Sequence, residues 1–561
     1  MRNRIHRKHR EQCCLGVIEV KGNMSPIGLT TNVLIAHAEE FHGNTEIVGV
    51  NVKGERRRTS WGEVGARSRR LSSALVKMGL RKGDRVGTIA PNTCDHLELL
   101  YAISGFGGIA HTINPRLFPD EVVYIINHAG DKALFVDPAY VGIMIGHRHL
   151  FETVENIYIT GPKQNEVAAR MNGFKFLVDL FETGDPAYEW PDLDEDDAAV
   201  VCYTSGTTGD PKGVLYSHKS IVVHASVVSL PDSFCLSATD TVMPVVPMFH
   251  VNAWGVPYAS AMVGCRLVLP GPNLDGHSLI ELMNRERVTM ALAIPTIWEE
   301  VLEILRDAGA SLESVKRILS GGTAVPSWMI KEFDQSHGVR LIHGWGMTET
   351  SPLGSVNSPL RKHLALDGDE KLEQMSSAGR PHWAMRLKIV DEEGTQLPND
   401  GVSEGSLYVK GPTVVESYMS HEAPATDEDG WFDTGDVGTI DGDGFLTLTD
   451  RSKDLIKSGG EWISSILLEE IIRQHPLIHD AAVIGVNHKK WTERPIIIAQ
   501  AVEDESPTDT EVLSFFKDKV AKWQIPDAVV MVDELPLGST GKPIKRVLRE
   551  QYIDYLLEGN T

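Results

Sequence analysis

The sequence predicts an α/β protein in two unequal parts, a large N-terminal domain of mostly parallel sheet covered by helices and a small C-terminal α+β domain. Three observations carry this expectation. The chain has 561 residues, more than one ordinary hydrophobic core supports. Helix and strand signals alternate through its early part, as expected for helices packed on a largely parallel sheet. After Asp450 the texture changes to short strands and amphipathic helices over a span that suits one compact domain.

Residues 1–23 come first. Arg2, Arg4, Arg7, Lys8 and Arg10 form a basic cluster, and the apolar piece behind them is broken by Glu19 and Lys21. A secretory leader needs about 7–15 uninterrupted apolar residues, so a disordered extension is expected instead. Residues 24–452 are expected to form the large domain and 453–561 the small one. Ser60–Glu63 fits a capping box ahead of a helix carrying Trp61, Val64, Leu71 and Leu75. Arg85–Ala90 reads as a buried strand and Asp95–Ser104 as the next helix.

Beyond Asp450, Ser465 is placed to cap a helix over Ile466–Gln474, with Pro476 past its end. Ala481–Val486, Pro495–Val502 and Ala528–Val532 read as strands. Glu511–Trp523 sets Leu513, Phe516, Val520 and Trp523 on one helical face. Ile544, Val547, Leu548, Tyr552, Tyr555 and Leu556 mark a last amphipathic helix.

Composition narrows the function. A net charge of -23 argues against a general nucleic-acid binder, since a phosphate polyanion would be repelled. No apolar run approaches the roughly 18 residues of a membrane span. The six cysteines show neither a disulfide framework nor paired metal spacing, which points to free thiols in a reducing cytosol. A cytoplasmic protein with no membrane or nucleic-acid partner is therefore expected, with a homodimer left open.

The chemistry is concentrated in a few segments. Behind the apolar strand Ala198–Tyr203 runs Thr204-Ser205-Gly206-Thr207-Thr208-Gly209-Asp210-Pro211-Lys212-Gly213. Its glycines let the main chain approach an anion, its hydroxyls donate, and Lys212 adds a charge, so the loop suits ATP phosphates. It is not a Walker A loop, which needs Gly-Lys followed directly by Ser or Thr. Gly321-Gly322-Thr323-Ala324 follows the strand expected at Val315–Leu319, and on spacing alone is equally a strand-to-helix turn. Gly344-Trp345-Gly346-Met347-Thr348-Glu349, Trp431-Phe432-Asp433-Thr434-Gly435-Asp436 and Pro536-Leu537-Gly538-Ser539-Thr540-Gly541-Lys542 complete the set.

In their order along the chain these segments resemble the adenylate-forming superfamily of acyl-CoA synthetases, adenylation domains and beetle luciferases. The similarity runs from about Leu29 to Leu557. Within it, Thr112–Leu117, Pro247–Gly255 and Lys457–Ser464 are similar to 3-methylmercaptopropionyl-CoA and medium-chain fatty-acyl-CoA ligases.

The resemblance implies stacked sheets, a mobile small domain, the substrates ATP and CoA, and Mg2+ as cofactor. A small carboxylic acid would become an acyl-adenylate and then a thioester. Thr204, Ser205, Gly206, Thr207, Thr208 and Lys212 would hold phosphate, with Thr204 and Glu349 at the metal. Gly322, Thr323, Gly344, Trp345 and Gly346 would line the adenine site, Thr348 would meet the α-phosphate, and Asp436 and Arg451 the ribose. Where the superfamily usually has Tyr, Trp345 offers a comparable face but no hydroxyl.

Lys542 would act in adenylation, His250 would flank the carboxylate, and Lys453 would be the hinge. Lys457, Gly459, Gly460 and Trp462 would form the CoA-side loop, and Trp254 would narrow the acyl tunnel. The acid this implies is 3-(methylsulfanyl)propanoate, with medium-chain fatty acids, or an adenylation enzyme loading a carrier protein, as the alternatives.

Overall fold

The computed structural model describes residues 24–163, 174–204, 210–307, 309–421, 423–458, 461–503, 505–517, 519–538 and 543–557. The extension expected at residues 1–23, with Cys13 and Cys14, lies outside the described residues.

Short apolar runs buried on both faces, such as Ala133–Val136 and Met290–Ala293, are what parallel strands covered by helices require. They build two large sheets. A seven-stranded sheet runs Lys175–Phe176, Asn156–Ile159, Ala133–Val136, Arg85–Ile89, Ile109–Thr112, Ala198–Tyr203 and Gly213–Ser217. Every neighbouring pair is parallel except the last. A nine-stranded sheet runs Arg380–Pro381, Leu353–Val356, Arg340–Gly346, Arg317–Gly321, Met290–Ala293, Thr241–Pro244, Arg266–Leu269, Glu46–Val50 and Arg56–Ser60. It is parallel through its middle and antiparallel at both edges.

Helices Thr31–His42, Trp61–Lys77, Cys94–Gly105, His218–Ser229 and Val256–Val263 join residues of both sheets in one continuous core. Helix Cys94–Gly105 is buried on nearly every side. The N-terminus of Trp61–Lys77 departs from the expected capping box. Ser60 does accept from the Glu63 N–H, at 3.3 Å, but the Glu63 carboxylate takes the Thr59 hydroxyl at 2.7 Å.

Arg386–Val390, Gly405–Lys410, Phe432–Ile440 and Leu446–Arg451 form an antiparallel sheet. Residues 452–455 then lead into a five-stranded sheet of Glu461–Ile463, Ile456–Ser458, Thr492–Ala501, Ile478–His488 and Ala528–Met531.

Here several expectations are corrected. The cap of the first helix is Ser464, which accepts from the Leu467 N–H at 3.1 Å, and the helix is Ser465–Ile472. Ser465 instead gives its N–H (2.5 Å) and hydroxyl (2.7 Å) to the buried Asp450. Lys545 donates to the Ser465 hydroxyl at 2.6 Å and pairs with Glu469 at 2.7 Å.

The helix expected over Glu511–Trp523 is only Asp509–Ser514. Phe516 is buried as foreseen, but Trp523 is exposed. Past Ser514, the N–H groups of Phe515, Phe516 and Lys517 bond back three residues, and the buried Arg494 guanidinium holds the carbonyls of Trp523 (2.6 Å) and Ile525 (2.8 Å). Among the described residues, no helix is long and apolar enough to cross a membrane.

Candidate active site

Strands Arg317–Gly321 and Arg340–Gly346 are parallel neighbours, with Gly321 opposite Gly344. A Cβ on Gly321 would lie 2.3 Å from the Gly344 carbonyl oxygen, so glycine permits the close approach. Ligands of open α/β sheets bind beyond the carboxyl ends of such strands. A cleft opens there. It is lined by His250, Trp254, Gly322, Trp345, Gly346 and Thr348, all six expected from the sequence. Thr323 follows Gly322 in the same turn.

Asp436 stands on strand Phe432–Ile440, directly across the ladder from Arg451 on Leu446–Arg451. The Arg451 Nε lies 3.3 Å from its Oδ1. The Trp345 indole N–H donates to its Oδ2 at 2.8 Å. The tryptophan at this position therefore brings a polar handle as well as a flat face.

Glu349 follows the end of strand Arg340–Gly346 and is 7% exposed. Burial pushes its carboxyl above the ordinary carboxylate range, against the Tyr418 hydroxyl, which favours the ionised form. That hydroxyl donates to Oε1 at 2.8 Å. The Lys212 ammonium sits 4.8 Å from the centre of the Tyr418 ring, which joins the phosphate loop to the acidic group through one side chain. Tyr216, on the strand after that loop, donates to the Thr348 carbonyl at 2.6 Å.

Among the described residues, no group of three or more His, Cys, Asp or Glu side chains could hold an ion. An ion at Glu349 would take this one carboxylate and the oxygens of a bound nucleotide. That hard, oxygen-only donor set fits Mg2+.

His250 and Trp254 reach the cleft from an unusual turn. Val251, Asn252, Ala253 and Trp254 have φ of 44°, 43°, 50° and 54°, a left-handed stretch that costs about 1–2 kcal/mol per non-glycine residue. The surroundings hold it. Asn252 donates to the Thr112 hydroxyl (3.3 Å) and the Met248 carbonyl (3.1 Å), and accepts from the Tyr258 hydroxyl (3.0 Å). Asn92 holds the preceding loop through the carbonyls of Pro244 and Val246 and the Met248 N–H, at 2.7–2.9 Å. The Trp254 ring faces Gly322, where an added Cβ would lie 3.9 Å from it.

Thr204 closes the base of the phosphate loop, its N–H bonded to the Lys212 carbonyl at 2.9 Å and its hydroxyl accepting from the Lys212 N–H at 3.3 Å. Ser205, Gly206, Thr207, Thr208, Gly459, Gly460 and Lys542 lie outside the described residues. Lys453 is exposed in the turn between sheets. Lys457 lies 4.9 Å over the Trp462 ring and 3.4 Å from Glu392, and neither Lys457 nor Trp462 lines the cleft. Asn92, Tyr216 and Tyr418 carry no local motif, and long-range contacts bring them here; Asn252 lies within Pro247–Gly255, with no role expected for it.

Residues 34–419 match the family model described as AMP-binding enzyme, and residues 467–542 match the AMP-binding enzyme C-terminal domain. A 3-methylmercaptopropionyl-CoA ligase of Ruegeria lacuscaerulensis is 50% identical over 535 residues, 95% of this chain and 99% of the relative. A medium-chain-fatty-acid–CoA ligase of Ectopseudomonas oleovorans is 49% identical over 540 residues, 96% and 99% of the two chains. The crystal structure of the anthranilate CoA ligase AuaEII with anthranoyl-AMP superposes with a TM-score of 0.82 at 24% identity, covering 94% of this chain and 98% of that one.

Proposed function

We infer the function from the premise that this chain belongs to the AMP-binding enzyme family. It is an acyl-CoA ligase using ATP, Mg2+ and CoA. The acid we propose is 3-(methylsulfanyl)propanoate, the acyl group named for a relative at half identity over nearly the whole chain. The placement of the Trp254 ring against Gly322 at the cleft supports a slim acyl group. Medium-chain fatty acids are the second reading, favoured by a relative of almost equal identity. A thioether chain nearly matches an alkyl chain in shape, and each methylene is worth only about 1–3 kcal/mol of discrimination.

A carboxylate repels nucleophiles, so it is first converted to a mixed anhydride. One carboxylate oxygen attacks the α-phosphorus of ATP, the bond to the bridging oxygen breaks, and pyrophosphate leaves. The CoA sulfur then attacks the acyl carbonyl, AMP departs and the thiol proton is lost to solvent. We assign the ribose to Asp436 and Arg451, the α-phosphate to Thr348, and the adenine to the main chain of Gly322 and Gly344 beside Trp345. His250 borders the carboxylate. When bound at Glu349, Mg2+ would spread the phosphate charge that repels the incoming carboxylate.

Lys542 is assigned the carboxylate and bridging oxygen from its motif, and Lys453 the pivot on which residues 453–561 turn as a mobile domain. The phosphate loop is assigned to the leaving pyrophosphate, and Lys457 to Trp462 to CoA. The free thiols Cys94, Cys202, Cys235 and Cys265 suit the reducing cytoplasm as the place of work. The observation that carries the assignment is the convergence of Gly322, Gly344–Thr348, His250, Trp254 and the Trp345–Asp436 pair on one strand-end cleft.

The test is acid-dependent exchange of labelled pyrophosphate into ATP, followed by CoA-dependent AMP release, across C2 to C12 acids and 3-(methylsulfanyl)propanoate. The thioether acid is expected to give the highest kcat/KM. An optimum at octanoate would move the assignment to the second reading, and failure to exchange pyrophosphate with any acid offered would end it.

A further inference from the structure

The Trp345–Asp436 hydrogen bond has a consequence for nucleotide choice, resting on the ribose assignment above. We propose that Trp345 is a positioning residue for the sugar: its indole N–H fixes the plane of the Asp436 carboxylate, and this sets the preference for ribonucleoside over 2′-deoxyribonucleoside triphosphates.

The chain is built around that ring. The ladder between Arg340–Gly346 and Leu353–Val356 shifts register between Trp345 and Gly346, the kind of irregularity that re-aims a side chain. The ring then lies on Gly354, where a Cβ would be 2.3 Å from one of its carbons. The Gly354 backbone is not in the left-handed region, so its missing side chain serves the ring and not a turn. Seated this way, Trp345 is 6% exposed and Asp436 is 8% exposed. Their 2.8 Å bond is therefore a buried charge-assisted one.

Arg451 supports the carboxylate more weakly. The Arg451 side chain is half exposed, and its Nε stands 3.3 Å away, so solvent screens the pair. An ionised carboxylate accepts at about four lone-pair sites, so it can keep the indole and still receive sugar hydroxyls. Two hydroxyls are received together only if the plane of the carboxylate is fixed. With one hydroxyl missing, that plane matters less.

The experiment compares ATP with 2′-deoxy-ATP for the wild type and Trp345→Phe, which keeps an aromatic ring and removes the donor. Losing one hydrogen bond to a charged group is expected to raise the KM for ATP about tenfold or more, with kcat changed much less. The KM for 2′-deoxy-ATP should rise by a smaller factor, so the preference between the two falls at least threefold. In an Asp436→Asn background the Trp345→Phe effect should largely vanish.

Trp345→Tyr, whose hydroxyl lies beyond the ring and not at the indole nitrogen, shifts the preference in the same direction. It serves if the phenylalanine form does not fold. Equal KM increases for both nucleotides would reduce Trp345 to an adenine wall and overturn the proposal. A wild type that activates no acid would defeat the ligase reading instead, which keeps the two failures apart.

Discussion

Tyr418 touches both charged groups around the phosphate site through one side chain, its ring under Lys212 and its hydroxyl on Glu349. Removing only the hydroxyl, in Tyr418→Phe, leaves the buried Glu349 oxygen short of a donor and pushes its carboxyl still further toward the protonated form. Outer partners of a metal ligand are typically worth about 10–100-fold in affinity. The Mg2+ concentration for half-maximal adenylation is accordingly expected to rise about tenfold, measured at saturating ATP. An unchanged Mg2+ curve would separate Tyr418 from the ion. Trp345 likewise owes its polar role to a distant partner. The sequence shows an indole where a phenol is usual, and its missing hydroxyl draws the eye. Its N–H matters only once Asp436, 91 residues away, is folded against it.

Among the elements, the left-handed turn Val251–Trp254 depends most on its surroundings. Asn tolerates such backbone better than most residues, while Val and Trp do not, so hydrogen bonds and packing must hold it. Asn252→Ala strips three contacts and leaves the buried Tyr258 hydroxyl short of an acceptor. It should cost about 2–4 kcal/mol in urea unfolding and weaken acid binding, since His250 precedes the turn and Trp254 ends it. Trp254→Ala is a milder change, expected to move the chain-length optimum toward longer acids in the same C2 to C12 panel. An unchanged optimum would remove Trp254 from the specificity argument.

Elements set by local pattern were the legible ones: Ala198–Tyr203 lies where its apolar run ends at the glycines. The run Glu511–Trp523 keeps a helical period, yet its helix ends at Ser514, where the next three N–H groups bond back three residues instead of four, which no local period reports. The glycine-rich site segments were legible for the opposite reason, since close main-chain approach needs glycine whatever surrounds it. The asparagines and tyrosines that hold these segments look like ordinary residues in the sequence.

At the scale of the molecule, acid is the expected weakness. Burial pushes His96 and His218 down to about 4 and His224 down to about 3. The folded protein keeps these rings neutral, whereas the unfolded chain protonates them below about 6.5. Protons then favour unfolding, so stability is full above that pH and falls as pH drops toward 4. Each ring contributes up to about 1.4 kcal/mol per pH unit within the window. Burial pushes the Glu98 carboxyl up to about 7, which works in the opposite sense and offsets one of the three rings, so the urea midpoint should hold between pH 8 and 7 and decline gently from 6.5 to 5. A midpoint unchanged over that acid range would contradict the neutral assignments.

The Asp450–Ser465 contact bears on how fast the enzyme can cycle. Asp450 ends one sheet, Ser465 opens the first helix of the next, and the proposed pivot at Lys453 lies between them. Any swing about that pivot must tear a buried carboxylate from a backbone amide and a hydroxyl. With the pivot placed there as proposed, the contact would act as an escapement between the two half-reactions, and substitution at position 465 would retune the tempo of catalysis without altering a group assigned to a substrate.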